Sequence, residues 1–115
     1  MASNSLKQAK EFNLGTIKKG NSLTEKNFVI TTVHGNLTKV ELITSYQRFR
    51  DTTEGITITS DGDDAGITIT NASSGEWKIN SQIIDWAVGT YSYYITFTFS
   101  SGFVQTYLYG TLIVV

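Results

Sequence analysis

Residues 91–115 read YSYYITFTFSSGFVQTYLYGTLIVV, and this stretch decides the fold. Tyr91, Tyr93, Ile95, Phe97 and Phe99 fall on one parity, and Ser92, Tyr94, Thr96 and Thr98 on the other. A period of two is the mark of a half-buried strand, whose successive side chains point to opposite faces. Ser100-Ser101-Gly102 then supplies a three-residue hairpin loop, with glycine suited to the left-handed position, and brings Phe99 opposite Phe103. The returning segment is apolar on both parities: Val104, Leu108, Leu112 and Val114 against Phe103, Tyr107, Tyr109 and Ile113. Such a strand is central and covered on both faces, or it changes face at a bulge near Gly110.

The same period extends towards the N-terminus. GEWKIN (75–80) places Trp77 and Ile79 inward and Glu76, Lys78 and Asn80 outward. KVELITSYQRFR (39–50) places Val40, Leu42, Thr44 and Tyr46 on the core side, and NFVITTV (27–33) is an earlier strand before a turn at His34-Gly35-Asn36. Gly-Ile-Thr-Ile-Thr occurs twice, at 55–59 and 66–70, with SDGDDA between. Two copies are too few for a solenoid, and Asp61-Gly62 is a turn signal, so a hairpin of two similar strands is expected. SQIIDWAV (81–88) reads as a short helical turn at most, capped by Ser81. Residues 1–17 differ in character. Ser5 and Gln8 form a possible capping box and Gly15 a stop, so a short helix or an extended arm is expected there, docking onto a neighbour. The domain proper is 18–115: an antiparallel β-sandwich of seven to nine strands.

At 115 residues the chain holds one domain. Hydrophobic residues are 40% and charged ones 17%, which makes it globular but lightly charged. Eight of the nine basic residues lie in 1–50 against three acids, while 51–115 holds Lys78 alone against seven. No charge follows Asp85. This is expected of buried strands, or of a surface covered by another subunit. The absence of cysteine excludes a disulfide framework and thiolate chemistry. No apolar segment resembles a signal peptide or reaches membrane-spanning length, so no membrane partner is expected.

Catalysis finds little support. His34 is the sole histidine and is expected to be solvated in its turn, leaving a serine nucleophile without a base. Asp61, Asp63 and Asp64 could offer oxygen ligands to calcium but lack the regular spacing and distal glutamate of a calcium loop. A solvated turn, no metal and no cofactor are expected. The sequons at Asn36 and Asn71 are expected to be chance matches. Trp77, Trp86, Tyr91, Tyr93, Tyr94, Tyr107 and Tyr109 are expected chiefly in the core, although aromatics can also stack on sugars. Lys18-Lys19 and Arg48 with Arg50 could meet phosphates, but the net charge of −1 argues against nucleic acid.

Four ordered segments carry a family resemblance: KKGNSLTEKNFVI (18–30), NLTKVELITSYQRFR (36–50), GITITNASSGEWKI (66–79) and VGTYSYYITFTFSSGFVQTYLYGTLIVV (88–115). Together they resemble the immunoglobulin-like N-terminal domain of phage upper baseplate proteins and related phage tail and head-fibre domains. The resemblance implies a non-enzymatic virion structural protein, made in the host cytoplasm, whose partners are other virion proteins or further copies of itself. A carbohydrate-binding module for host attachment is the alternative. Leu6, Ala9, Phe12, Lys18, Lys19, Tyr107 and Tyr109 are the expected assembly residues. Because the acidic turn is read as solvated, adding a chelator should leave the melting temperature unchanged. A clear fall on calcium removal would make it a metal site.

Overall fold

The computed structural model describes residues 10–46, 56–62 and 65–115, and among these all regular structure is strand. The hairpin forms as expected. β10 (Gly89–Phe99) and β11 (Val104–Val114) pair antiparallel from Gly89–Val114 to Thr98–Val104. Phe99 N–H donates to Phe103 O at 2.9 Å and Gly102 N–H to Phe99 O at 2.8 Å, with Gly102 at φ 91°. All five inward residues of β10 are buried. On β11, Ile95 faces Leu108 but Thr96 faces Thr106, so Tyr107 is an extra, bulged residue. Tyr107 and Leu108 consequently both meet the core, and the buried parity then continues through Gly110, Leu112 and Val114. The strand does change face at a bulge, but at Tyr107 rather than near Gly110.

β5 (Leu37–Tyr46) takes the other side of β10, setting Val40 opposite Phe97 and Leu42 opposite Ile95. β6 (Thr57–Thr59) ends the sheet beyond β5. On the far side, β1 (Lys10–Glu11) and β2 (Gly15–Ile17) run parallel to β11. Residues 10–17 are therefore extended rather than helical, and they pair with β11 of their own chain. The reason is the free edge of β11. Phe12 N–H bonds to Tyr109 O at 2.8 Å and Leu14 N–H to Thr111 O at 2.9 Å, satisfying backbone groups that an open edge would leave unpaired. Leu14 and Ile17 also pack against the core.

The second layer contains β7 (Ile67–Asn71), β8 (Glu76–Ile79) and β4 (Lys26–Val29), in the order β4-β8-β7. β3 (Ser22–Leu23) pairs with β9 (Gln82–Ile83) in the same register as β4 with β8, so the two ladders form one interrupted antiparallel pair. Residues 82–83 are thus strand, not the expected helical turn. Ser81 does cap a backbone N–H, but that of Glu25, at 3.1 Å, where β3 gives way to β4.

The repeated pentapeptides are not a hairpin. β6 pairs with β5 in the large sheet and β7 with β8 in the other, so the connector crosses between layers. Asp61-Gly62 does turn, with Gly62 at φ 94°, but the turn leads across the sandwich. Each copy has one isoleucine face, and each sets an isoleucine beside an apolar residue of its own sheet. Ile58 lies opposite Leu42, and Ile67 opposite Ile79. Gly66 marks where the layers meet, since a Cβ there would collide with the Ile58 side chain. Asp63 and Asp64, like Leu6 and Ala9, lie outside the described residues.

Trp77 holds the layers together. It is 1% exposed, stacks on Phe28 with ring centres 4.5 Å apart, and meets Phe97 of the opposite sheet edge-on at 5.3 Å. Its indole N–H has no partner among the described residues. Trp77→Ala should cost about 3–5 kcal/mol in a denaturant titration. Trp77→Phe should cost clearly less, because it keeps a ring and removes a buried, unpaired donor. A loss below about 1 kcal/mol for the alanine variant would overturn this placement.

Candidate assembly surface

The large sheet turns one face to the core and the other outward, and the pairing registers line up the outward side chains. Ile43, Tyr94 and Tyr109 form a row across β5, β10 and β11, with Glu11 of β1 beside Tyr109. Ser45, Ser92 and Thr111 form the next row, and Thr90 faces Ile113 beyond it. Tyr94 and Tyr109 are each 45% exposed and Ile113 36%. Apart from Glu11 at the margin, the charges on β5, β10 and β11 are Lys39 and Glu41 at one end, which pair at 3.3 Å. The uncharged C-terminal stretch thus has two causes. Its inward half fills the core, and its outward half is a flat face of hydroxyls, two tyrosines and an isoleucine.

The expected assembly residues separate. Tyr109 lies on this face, but Tyr107 is buried with its ring 5.8 Å from Phe97, so it belongs to the core. Phe12 meets the Phe28 ring edge-on at 5.2 Å. The Tyr93 hydroxyl donates to the Phe12 carbonyl, which lies where a side chain at Gly110 would have to go. Burial raises the Tyr93 phenol from 10.0 to about 12. Lys18 is exposed. Lys19 is engaged within the chain: its ammonium lies 3.0 Å from the Asp85 carboxylate and donates to the Asp85 and Trp86 carbonyls at 3.1 and 3.3 Å.

Lys19 illustrates what becomes of the charge asymmetry. Lys19–Asp85, Lys39–Asp61 at 3.5 Å and Lys78–Glu25 at 3.1 Å each join the basic half to the acidic half of the same chain. The hydrogen bond from Lys78, then that from Asn27, holds the Glu25 carboxyl below its usual value, while Glu41 and then Asp61 raise Lys39. Pairs this exposed add little to stability.

His34 is not simply solvated. Its ring stacks on Phe103 at 3.8 Å and 19°, in a turn fixed to the hairpin loop by Ser100 N–H on Asn36 O at 2.8 Å. An open groove of about 250 Å³ lies between β6 and Trp86, with Asp61 and Gln82 on its wall. Among the described residues no three acidic or histidine side chains converge as metal ligands. Alternation identified Tyr94 as outward, but only the register could set Ile43 and Tyr109 beside it.

Tyr93 predicts an alkaline weakness. Below pH 10 the phenol is protonated in both states and its contribution is complete. Above that the unfolded chain ionises first, so stability falls as pH rises through about 12. Urea midpoints should therefore drop more steeply over this window for the wild type than for Tyr93→Phe, and equal slopes would contradict the assignment. The chain matches no protein-family model and no curated protein sequence.

Proposed function

We propose that this chain is a non-enzymatic phage virion module that works through protein–protein contact on the outer face of its large sheet. The observation that carries this is the row Ile43, Tyr94 and Tyr109 with Ile113 nearby, set on a face whose charges stand at its margins. Interface centres are depleted in charge and enriched in aromatics, and tyrosine suits a surface that is wet when free and dry when docked. The strand distribution supports an immunoglobulin-like identity. The arm, the last two strands, the first long strand and a short edge strand share one sheet, and three strands form the other. Two antiparallel-rich sheets divided in this way are compatible with an immunoglobulin-like sandwich. The ordered motifs between Lys18 and Val115 point to phage baseplate, tail or head-fibre domains as the setting. That likeness is one of pattern, and the function rests on the face itself.

One observation favours the carbohydrate-binding alternative. Tyr94 and Tyr109 lie side by side among the hydroxyls of Ser92, Thr96 and Thr111, which would offer ring stacking and hydrogen bonds to a sugar. Two experiments separate the readings. An antibody against the chain should decorate purified phage particles, and Tyr94→Asp combined with Tyr109→Asp should leave the protein folded but prevent its incorporation. Incorporation at the wild-type level would overturn this face as the contact. Selective binding on a glycan array, lost in Tyr94→Ala with Tyr109→Ala, would establish the alternative.

A further inference from the structure

β6 and β7, which carry the repeated pentapeptides, are the terminal strands of their sheets. In β7 the backbone pairing is explicit. Asn80 N–H donates to Gly66 O at 2.8 Å, and Ile67–Ile79, Thr68–Lys78 and Ile69–Trp77 follow in register. Antiparallel alternation then gives Thr68 the bonds to Lys78 and turns the N–H and C=O of Ile67 and Ile69 away from β8. No described residue meets them. Natural edge strands are shielded by lysine, proline, a bulge or a covering segment. Residues 66–72 contain no charge and no proline, and the one register shift comes at the end of the strand, between Ile69 and Asn71. β6 is different: it has three residues and leads directly to Asp61, a charge that any added strand would confront.

We infer that the outer edge of β7 is a self-association seam, pairing antiparallel with β7 of a second copy about a two-fold axis at Thr68. The occupant follows from the pattern. Ile-Thr-Ile reads the same in both directions, so the axis sets Thr68 opposite its equivalent and Ile67 opposite Ile69 of the second copy. Each isoleucine pair exchanges both of its backbone bonds. Ile67 and Ile69 lie on the core side and Thr68 is exposed, so apolar meets apolar, hydroxyl meets hydroxyl, and no like charges oppose. A contact of this symmetry closes at two copies instead of propagating. The seam specifies one partner within the assembly reading and rests on that reading, but it uses a strand of the other sheet and can fail by itself.

The test combines light scattering of the purified chain over a concentration series with hydrogen exchange at single amides. The mass should rise towards twice that of the chain, and the Ile67 and Ile69 amides, fast in dilute solution, should become protected as it does. Thr68→Lys changes an exposed side chain that accepts from Asn80 Nδ2 at 2.9 Å, and Asn80 keeps its second bond to the Ala65 carbonyl at 3.1 Å. The variant sets two ammonium groups opposite each other at the axis, and one opposite Lys78 of its own sheet, and should hold the chain monomeric at a modest loss of stability. Ile69→Pro removes an N–H that meets no acceptor among the described residues, so it should also block pairing, at some loss of core contact. If Thr68→Lys disturbs folding, Ile69→Pro and the exchange data still decide. A single monomer mass at all concentrations overturns the seam. So does a dimer whose Ile67 and Ile69 amides still exchange freely, or one that survives both substitutions. Those dimers would leave assembly through another surface standing, whereas absence from particles would remove the virion reading without touching the seam.

Discussion

The inward row of β10 is the constraint around which the other elements are placed. Both edges of this strand are hydrogen-bonded, to β11 and to β5, and its core face carries two tyrosines, an isoleucine and two phenylalanines in unbroken alternation. That much apolar surface, at roughly 25 cal/mol per Å² removed from water, needs an opposing layer. Trp77 provides its centre, reaching Phe97 edge-on while its other face stacks on Phe28. The bulge at Tyr107 serves the same end. It adds a second aromatic against Phe97 and resets the parity of β11 so that Leu112 and Val114 also point inward.

What could be read in the residues was whatever a strand records in its own side chains. β10, β8 and the core side of β5 alternate locally, and the Ser-Ser-Gly loop states its geometry outright. Pairing partners are a different matter. Two identical pentapeptides separated by an acidic turn look like a hairpin, because nothing in Ile-Thr-Ile-Thr says whether its neighbour is its twin or a strand from another layer. β9 is two residues long with Ile83 66% exposed, too short to show a period. Residues 10–17 attach through backbone bonds to Tyr109 and Thr111 together with Phe12, Leu14 and Ile17, a spacing too irregular to show a strand period. The candidate face was half legible. Alternation set Tyr94 opposite the core parity of β10, but Tyr94 and Tyr109 were expected chiefly in the core, and the row from Ile43 to Tyr109 exists only through two registers. Tyr107 was expected both among the core aromatics and among the assembly residues, and the bulge decides for the core.

The charge distribution carries a related lesson. The sequence is divided into a basic and an acidic half, and folding joins the two at Lys19–Asp85, Lys39–Asp61 and Lys78–Glu25. The outer face of the large sheet and the edge of β7 are both nearly uncharged, and they differ in what they offer: side-chain area in one case, backbone donors and acceptors in the other.

The pairing of the arm with β11 also dictates an order of events. Lys10 lies beside Leu108 and Gly15 beside Leu112, so the first described strand of the chain completes its bonds only with the last. During synthesis the N-terminal segment is made early and must wait for nearly the whole domain to emerge. The large sheet therefore gains its outer strand at the end, after the β10–β11 hairpin has formed from neighbours in sequence. Contacts of this span are closed slowly, because the loop entropy is lost before the contact repays it. The bare Gly110 backbone leaves space for the Phe12 carbonyl on arrival, and the Tyr93 hydroxyl is already in place to receive it.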